Sequence, residues 1–394
     1  MKLVFIKGKR KSKSPLGAIA TLIGTTIGAG ILGIPYVVAK SGLLYGLFLI
    51  IFIGVIILFV NLFFGEIVLR TKGNHQVPGY AEKYTGKFGK FFIVLSFIIG
   101  VYGAVIAYTI KSGEFLMYVF NGSNSFPYSL AFFAVMSVVI YFGIRAVEHS
   151  ELVLVGSFIL VILIVFFLGL KSVDLSNFDL VHPKYLFLPY GVILFAFLAT
   201  GSIPEMKEQL THYRKKIKNA IILGTIVPII VYLAFAIVVV GITGKDTTTG
   251  AIEGLANVIK NPTVIKGAFI FGILAMATSF IALGRALKEM YMFDFGFKKF
   301  HSYLFTVMIP ALLFLLLYFT GNSSFINILG IAGAISGGIA GAIIVWMYIR
   351  AKRLGDRQPE FSIKLNKPFA WFIILVFIIG VILKLLEVFG VLRF

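Results

Sequence analysis

The 394-residue chain contains no cysteine and few charged residues. The absence of cysteine excludes disulfide bonds, thiolate metal sites, iron–sulfur clusters and cysteine nucleophiles. Only 13% of the residues are charged, against about a quarter in soluble globular domains. Acidic residues are the scarcer sign, with 16 against 36 lysines and arginines, which gives a net charge of +20. In a soluble protein that surplus would indicate nucleic-acid binding, so its position along the chain has to be established.

Several motifs for chemistry are missing as well. The five histidines lie in or beside loops and form no HExxH pattern, so a membrane metalloprotease is not supported. No Walker A motif is present, which argues against ATP-driven transport by this chain. No TVGYG filter is present, which argues against a potassium channel. We therefore predict no catalytic residue and no organic cofactor, and we do not expect an enzyme.

Long apolar runs are what the sequence has in abundance. Hydrophobic residues make up 59% of the chain, and a membrane-spanning helix needs about 20 of them. Runs of this length, bounded by charge clusters, predict an all-α integral membrane protein with eleven transmembrane helices. Because the runs are continuously apolar and do not alternate, a β-barrel is excluded. The predicted spans are residues 16–39, 43–69, 90–118, 128–144, 151–170, 187–204, 219–242, 264–286, 302–320, 326–349 and 368–391.

The basic residues are distributed unevenly between the loops that join these spans. With a cytoplasmic N-terminus, the inside segments hold 27 lysines and arginines and the outside segments hold 9. This threefold bias follows the positive-inside rule and predicts a multi-pass cell-membrane protein with an extracytoplasmic C-terminus. The positive net charge is therefore explained by basic residues in the loops predicted to face the cytoplasm. The lipid bilayer, including anionic lipid on the inner side, is the expected environment, and no nucleic-acid partner is predicted.

Two spans are interrupted by small residues and proline. Residues 24–35 of the first span, GTTIGAGILGIP, contain four glycines and a proline, and residues 195–205 of the sixth, FAFLATGSIPE, close on a proline and a glutamate. Interrupted spans in corresponding halves of a chain are typical of transporters built from inverted repeats, with the binding site at the breaks. Amides at the start of a half-helix attract an anion such as a carboxylate. Close helix packing through glycine is the alternative explanation.

Residues 24–42, GTTIGAGILGIPYVVAKSG, resemble the signature of the amino acid/auxin permease family and its aromatic amino acid permease relatives. These families belong to the amino acid–polyamine–cation superfamily. Residues 77–90 resemble the amphipathic loop helix that follows the second span, residues 190–206 the sixth span and residues 277–290 the eighth, so the resemblance covers most of residues 16–350. It implies the leucine-transporter fold, a 5+5 inverted repeat with broken helices 1 and 6. The implied segments are a basic N-terminus at 1–15, repeats at 16–170 and 187–350, and a cytoplasmic loop with an eleventh helix at 351–394.

The resemblance also implies which residues bind an amino acid. In this fold the substrate carboxylate is held by amides of the unwound first span, and the amine by carbonyls of the first and sixth spans. A tyrosine of the third span often completes the carboxylate site. The matching positions are Gly28, Ala29, Gly30 and Tyr108 for the carboxylate, and Thr26 with residues 197–200, including Phe197 and Thr200, for the amine. An interfacial or packing role is the alternative for Tyr108.

A sodium site is the second feature that the resemblance implies. In the fold, two carbonyls of the first span meet an Ala-x-x-Thr-Ser pattern of the eighth span, which stands here at residues 275–279. Five neutral oxygens suit a hard cation such as sodium, which is the hypothesised coupling ion. The alternative is that the two hydroxyls bond back to their own helix. The implied ligands are Gly24, Ile27, Ala275, Thr278 and Ser279.

The sequence departs from some relatives in ways that bear on ion coupling. Ile31 stands where a second sodium site would need an asparagine, and residues 152–170 lack the lysine that some proton-coupled relatives place in the fifth span. Charge inside a membrane is costly and usually functional. Glu66 and Glu205 are therefore candidates for an inner gate or a proton site, or for pairs with loop lysines. Lys384 and Glu387, three residues apart, are predicted to pair with each other.

Together these features predict a monomeric secondary transporter that imports amino acids by alternating access as a sodium symporter. Two alternatives remain open. One is a proton-coupled symporter that uses Glu66 or Glu205, and the other is a receptor that binds an amino acid without translocating it.

Overall fold

The computed structural model describes residues 14–142, 172–258 and 262–392. Regular structure in these ranges is helical, and they contain no strand. The α-helices in chain order are α1 (Pro15–Thr26), α2 (Ile34–Ser41), α3 (Leu43–Arg70), α4 (Val77–Phe120), α5 (Phe126–Phe142), α6 (Leu188–Ala196), α7 (Ser202–Gln209), α8 (Ile217–Thr243), α9 (Ile252–Val258), α10 (Pro262–Phe293), α11 (Lys299–Phe319), α12 (Phe325–Ala332), α13 (Gly338–Leu354) and α14 (Lys367–Val388).

The long helices fall where the apolar runs predict membrane spans. Within the described ranges, seven helical segments are long and apolar enough to cross a membrane, and α1 with Ala29–Ser41 makes an eighth that is bent by 45°. The shorter apolar helix α5 and the two halves α6 and α7 match the fourth and sixth predicted spans. The predicted fifth span, residues 151–170, lies outside the described residues. An all-α membrane fold is thus confirmed, while the count of eleven spans stays a prediction.

A glycine separates the predicted loop helix from the third span. Two helical stretches of α4 meet at a kink at Gly86, which has φ 73° and ψ −166°, a conformation that residues with a Cβ rarely adopt. The helix before Gly86 corresponds to the amphipathic loop helix, and the helix after it to the third span. A single residue therefore sets the angle between a surface helix and a membrane helix.

The helices pack around α4, which contacts α5, α10, α12 and α13. On the other side of the bundle, α8 packs against α1 and α3, and α6 packs against α2 and α12. The glycines of the tenth span serve this packing. A Cβ on Gly333 would lie 2.0 Å from the carbonyl oxygen of Gly191 in α6, and one on Gly341 would lie 2.4 Å from the Phe377 ring of α14. Both glycines let neighbouring helices approach closely.

Two groups of loops mark opposite ends of the bundle. At one end, which we call the basic face, residues 71–76, 210–216 and 355–366 meet: the Asp356 amide donates to the Arg70 carbonyl at 2.9 Å. At the other end, which we call the opposite face, residues 172–185 meet 41–45, with the Leu43 amide 2.7 Å from the Asp179 carbonyl. Loops predicted to share a side of the membrane therefore do meet. Assigning the basic face to the cytoplasm stays a prediction.

Candidate functional site

The first span breaks at Ile27 and Gly28. Helix α1 ends at Thr26, Ile27 has ψ 77°, and Gly28 is extended with φ −105° and ψ −161°. A five-residue 3-10 helix, Ala29–Gly33, then begins, and Gly28 offers its first turn no side-chain cap. The first amides of a helix have no partner within it. The backbone N–H groups of Ala29 and Gly30 therefore stand at the position where the sequence predicts carboxylate binding.

The break also redirects two backbone hydrogen bonds. In a continuous α-helix the amide of residue 28 would donate to the carbonyl of Gly24, and the amide of residue 31 to that of Ile27. Instead, the Gly28 amide donates to the Thr26 carbonyl at 2.9 Å, and the Ile31 amide donates to the Gly28 carbonyl at 3.3 Å. The carbonyls of Gly24 and Ile27 thus lose their helical donors. These are the two first-span carbonyls predicted as sodium ligands.

The sixth span breaks between α6 and α7. Phe197 ends α6 with φ −90° and ψ 0°, and the Ile203 amide donates to the Thr200 carbonyl at 3.2 Å as α7 begins. Thr200 therefore belongs to the entry into α7. Glu205 is half-buried in the first turn of α7, where a carboxylate interacts favourably with the helix dipole.

The two breaks lie directly against each other. A Cβ on Gly30 would lie 2.9 Å from the Ala196 Cα and 3.3 Å from the Phe195 ring, closer than a side chain normally approaches. Gly30 and Ala196 are both buried. Glycine at position 30 is thus what allows the unwound part of the first span to touch the end of α6.

A tyrosine that no sequence pattern singles out ties the breaks together. The Tyr232 hydroxyl of α8 lies 2.7 Å from the Thr26 carbonyl oxygen and 2.8 Å from the Ala196 carbonyl oxygen. Its one hydrogen is shared between these two acceptors. The Tyr232 side chain is fully buried, and its ring centroid lies 5.0 Å from that of Phe197. One side chain therefore contacts three residues of the predicted substrate site or its border.

Tyr108, the predicted third-span residue, lies beside the sixth span. It is 4% exposed, and its ring meets the Phe195 ring edge to face with centroids 6.5 Å apart. Phe195 in turn borders Gly30. Tyr108 is therefore one residue removed from the contact between the breaks, a position compatible with either substrate binding or packing.

The eighth span, within α10, brings the Ser279 hydroxyl to the first break. A Cβ on Gly28 would lie 3.7 Å from the Ser279 hydroxyl oxygen. The Thr278 hydroxyl donates to the Ala275 carbonyl at 3.0 Å, which is the back-bonding alternative for that residue. Among the described residues, no group of three or more histidine or acidic side chains could hold a metal ion. A cation at this place would therefore depend on neutral oxygens, and the predicted set of five stays a prediction.

Glu66 lies at the basic face, and its carboxylate is fully buried. It accepts hydrogen bonds from Arg70 Nε at 2.7 Å and from Lys352 Nζ at 2.6 Å. It also accepts from the Ser362 hydroxyl at 3.0 Å and from the Ile363 amide at 2.7 Å. The carboxylate thus joins the end of α3 to α13 and to the loop before α14.

Lys111 forms a comparable cluster at the opposite face. Its ammonium group pairs with Glu114, with Glu253 at 3.1 Å, and with the Thr249 hydroxyl at 2.8 Å. Both Lys111 and Glu253 are buried. This cluster ties α4 to residues 249–253 before and within α9. The predicted pair Lys384–Glu387 is also present, with a 2.9 Å contact.

Comparison with solved structures supports the fold. The chain resembles the crystal structure of MhsT in complex with L-phenylalanine, with a TM-score of 0.69 over 96% of this chain and 99% of that one, at 15% sequence identity. At that identity the likeness concerns the fold alone. Together with the helical spans and the broken first and sixth helices, it confirms the predicted leucine-transporter fold.

Comparison with known sequences identifies the family. Residues 11–386 match the model of the tryptophan/tyrosine permease family. Relatives include glutamine transporter 2 of Aliivibrio fischeri, 26% identical over 81% of this chain and 84% of that protein. The tyrosine-specific transport system 1 of Haemophilus influenzae is 26% identical over 87% and 90%, and the tryptophan-specific transport protein of Shigella flexneri 24% over 94% of each chain.

These matches agree with the aromatic amino acid permease part of the resemblance; the amino acid/auxin permease part stays a prediction. The family consists of permeases and not of enzymes, as the sequence predicts. A match that extends over residues 11–386 includes both broken spans and the eighth span. The chain belongs to the tryptophan/tyrosine permease family.

Proposed function

We propose that this chain imports amino acids across the cell membrane by alternating access, with sodium as the coupling ion. The observation that carries the proposal is that the two broken spans touch at Gly30 and Ala196. The Tyr232 hydroxyl bridges them through hydrogen bonds to one carbonyl of each span. Interrupted helices that meet within a bundle offer unpaired backbone groups to a polar ligand. The relatives described above are named as transporters of glutamine, tyrosine or tryptophan, which supports an amino acid substrate.

In this proposal the first-span break holds the substrate carboxylate. The amides of Ala29 and Gly30 begin a short helix, and both residues are buried, so a carboxylate there would face backbone donors in a low-dielectric setting. Carbonyls near Thr26 and residues 197–200 receive the amine. Tyr108 completes the carboxylate site, and Phe195, Phe197 and Thr200 line the side-chain pocket.

Sodium binding is proposed between the first and eighth spans. The break frees the Gly24 and Ile27 carbonyls from their helical donors, and Ser279 lies against Gly28. With Ala275 and Thr278, these groups provide the five neutral oxygens of the proposed site. A sodium ion there would fix the backbone next to the carboxylate-binding amides. Because coupling free energies are reciprocal, the substrate would tighten sodium binding by the same factor.

The proton-coupled alternative is weaker at Glu66. Its carboxylate accepts hydrogen bonds from two cations and two further donors, so pairing with cations accounts for this buried glutamate. We therefore propose that Glu66 holds the end of α3 to α13 and to the loop before α14 at the basic face. A proton mechanism would then depend on Glu205.

The test is uptake into proteoliposomes. Purified protein is supplied with each of the twenty amino acids, with an inward sodium gradient or with a pH gradient and no sodium. We expect one or a few amino acids to accumulate only with sodium. The double variant Thr278→Ala, Ser279→Ala should lose about tenfold or more in apparent sodium affinity, because two of five ligands are removed.

The matched control is the double variant Ser302→Ala, Thr306→Ala. Those hydroxyls are buried and, like that of Thr278, bond to backbone carbonyls of their own helix, those of residues 298 and 302, but they lie in α11. Equal sodium dependence in the wild type and the α10 variant would overturn the sodium proposal. Accumulation driven by the pH gradient alone would favour the proton symporter. Measurable binding without counterflow would favour the receptor.

A further inference from the structure

A cavity on the basic face is lined by cations from separate parts of the chain. Its volume is about 360 Å³. It lies between the loop after α3, the end of α7 and the loop after α13, and its lining includes no residue of the two breaks. Its lining residues are Thr71, Lys72, Gly73, Asn74, Lys207, Arg214 and Arg357.

Lys207 is the buried cation of this cavity. It stands in the last turn of α7, beyond the predicted sixth span, and is only 5% exposed. Its ammonium group donates to the carbonyl oxygens of Thr71 at 3.1 Å and Gly73 at 2.6 Å. Neither acceptor carries a charge. An ammonium group has three N–H donors, so one more hydrogen bond can be made toward the cavity.

The two arginines of the cavity share one carboxylate. Glu360 Oε1 lies 2.8 Å from Arg357 Nη2 and 3.8 Å from Arg214 Nη1. The Arg214 Nε is buried and has no hydrogen-bond partner among the described residues. Two further acids lie nearby: Glu208 is next to Lys207 in the chain, and Asp356 pairs with Lys83 and accepts from the Lys72 amide at 3.0 Å. Positive charge around the cavity thus exceeds the negative charge that faces it.

This arrangement matches the chemistry of phosphate recognition. Guanidinium groups bind tetrahedral oxyanions through paired N–H donors, and a lysine adds a compact charge. Like charges held together next to a buried ammonium group repel one another, and a bound anion would relieve that repulsion. We propose that the cavity binds a tetrahedral oxyanion, either free phosphate or the phosphate of an anionic lipid head group, through Lys207, Arg214 and Arg357.

The bound oxyanion would join elements that belong to different parts of the transporter. Lys207 stands at the end of α7, the helix that follows the break of the sixth span, and Arg357 lies in the loop after α13. A ligand that contacts both stabilises the arrangement in which they are close, and it stabilises the folded state by mass action. This site is separate from the proposed substrate site, so its test does not require transport.

The experiment measures thermal unfolding of the purified full-length protein in a neutral detergent. Sulfate or inorganic phosphate is added at constant ionic strength, with chloride as the balancing anion. We expect sulfate and phosphate to raise the melting temperature saturably, beyond the effect of chloride. Arg214→Gln and Lys207→Gln should each weaken the apparent affinity by about tenfold, because each removes one charge-assisted hydrogen bond.

Lys215→Gln is the matched control. Lys215 follows Arg214 directly, is exposed, and does not line the cavity. If Lys215→Gln weakened the sulfate response as much as Arg214→Gln, the response would be a general charge effect and the proposal would fail. It would fail equally if sulfate and chloride acted alike on the wild type. Should Lys207→Gln not fold, the partly exposed Arg214 and Arg357 provide the two independent variants.

Vesicles distinguish the two sources of phosphate. The wild type and Arg214→Gln are compared in phosphatidylcholine alone and in phosphatidylcholine with phosphatidylglycerol. A stability difference that appears only with phosphatidylglycerol identifies a lipid head group. A difference that appears in phosphatidylcholine upon adding phosphate identifies the free ion. No difference under any of these conditions overturns the proposal.

Discussion

Tyr232 shows how a single hydroxyl can connect two parts of a site that are far apart in sequence. Its partners, Thr26 and Ala196, are 206 and 36 residues away. In the sequence, Tyr232 is one tyrosine of 17 and stands in an apolar run, so no local pattern distinguishes it from a packing residue. By contrast, the glycines at 28 and 30 are conspicuous because backbone interruption has a local signature. Contacts between segments that are distant in sequence cannot be predicted from such local patterns.

Tyr232→Phe should affect both folding and transport. Two buried carbonyls lose their shared donor, which we expect to destabilise the protein by about 1–3 kcal/mol. Because those carbonyls belong to both breaks, the KM for substrate should change as well. Melting temperature and uptake kinetics are the measurements. Tyr348→Phe is the control, since its hydroxyl also donates to a backbone carbonyl, that of Ile363 at 2.8 Å, but far from the breaks. If both variants changed KM equally, a local role for Tyr232 would be wrong.

Gly30→Ala tests the close approach of the two breaks. The added Cβ would stand 2.9 Å from the Ala196 backbone, which cannot move without displacing α6. We expect uptake to fall at least tenfold. Gly267→Ala is the control, because a Cβ at that position of α10 meets nothing within 4 Å. It should leave uptake unchanged and favour the helix slightly. Normal uptake by Gly30→Ala would show that the contact between the breaks is not needed.

We expect the affinity of the cavity for an oxyanion to depend on pH, because Lys207 can lose its charge. Burial, with repulsion from Arg214 and Arg357, lowers the pKa of Lys207 to about 8, although Glu208 and Glu360 act in the other direction. Below that pH the group is a cation and attracts an oxyanion, and above it the charge is lost. Apparent sulfate affinity should therefore fall as the pH is raised through the pKa of Lys207. Sulfate is the right probe because it does not titrate in this range.

The pH dependence has its own control. In Lys207→Gln the affinity for sulfate should be low and nearly independent of pH over the same range. Lys72, which also lines the cavity, is exposed. A pH dependence that persisted in Lys207→Gln would assign the titration to another group.

At the scale of whole elements, the local sequence predicts where helices break. It does not predict which side chains of different helices pair with each other. Glycine and proline mark interruptions in the first and sixth spans, and the structure has breaks there. Glu66 is different: a glutamate late in an apolar run is compatible with a gate, a proton site or an ion pair. Lys352, its partner, is 286 residues away, and only the folded chain brings the two together.

Glu66→Gln tests whether the Glu66 ion-pair cluster holds α3 to α13 and to the loop before α14. Removing one member of a buried ion pair leaves its partners uncompensated, which typically costs about 3–5 kcal/mol. We therefore expect a large drop in melting temperature, with coupling to the ion gradient retained in protein that remains folded. An unchanged melting temperature together with lost pH-driven uptake would instead identify Glu66 as a proton site. Glu289→Gln is the control, since its pair with Arg285 is partly exposed and should contribute about 1 kcal/mol or less.

At the scale of the molecule, the uneven distribution of basic residues is explained by how the loops meet. Residues 71–76, 210–216 and 355–366 come from regions far apart in sequence, yet they form the basic face and, together with Lys207, line one cavity. Charge counting predicts that these loops share a side of the membrane, because sidedness depends on the number of spans between them. It does not predict which side chains face each other, because that depends on how the helices tilt and pack.

The absence of cysteine makes the predicted orientation directly testable. Lys215→Cys on the basic face and Lys245→Cys on the opposite face would each introduce the one thiol of the chain, and both positions are exposed. In intact cells a membrane-impermeant maleimide should label Lys245→Cys and leave Lys215→Cys unlabelled until the membrane is permeabilised. The cysteine-free parent protein provides the background. The reverse labelling pattern would invert the topology, and with it the side of the membrane from which the oxyanion reaches the basic face.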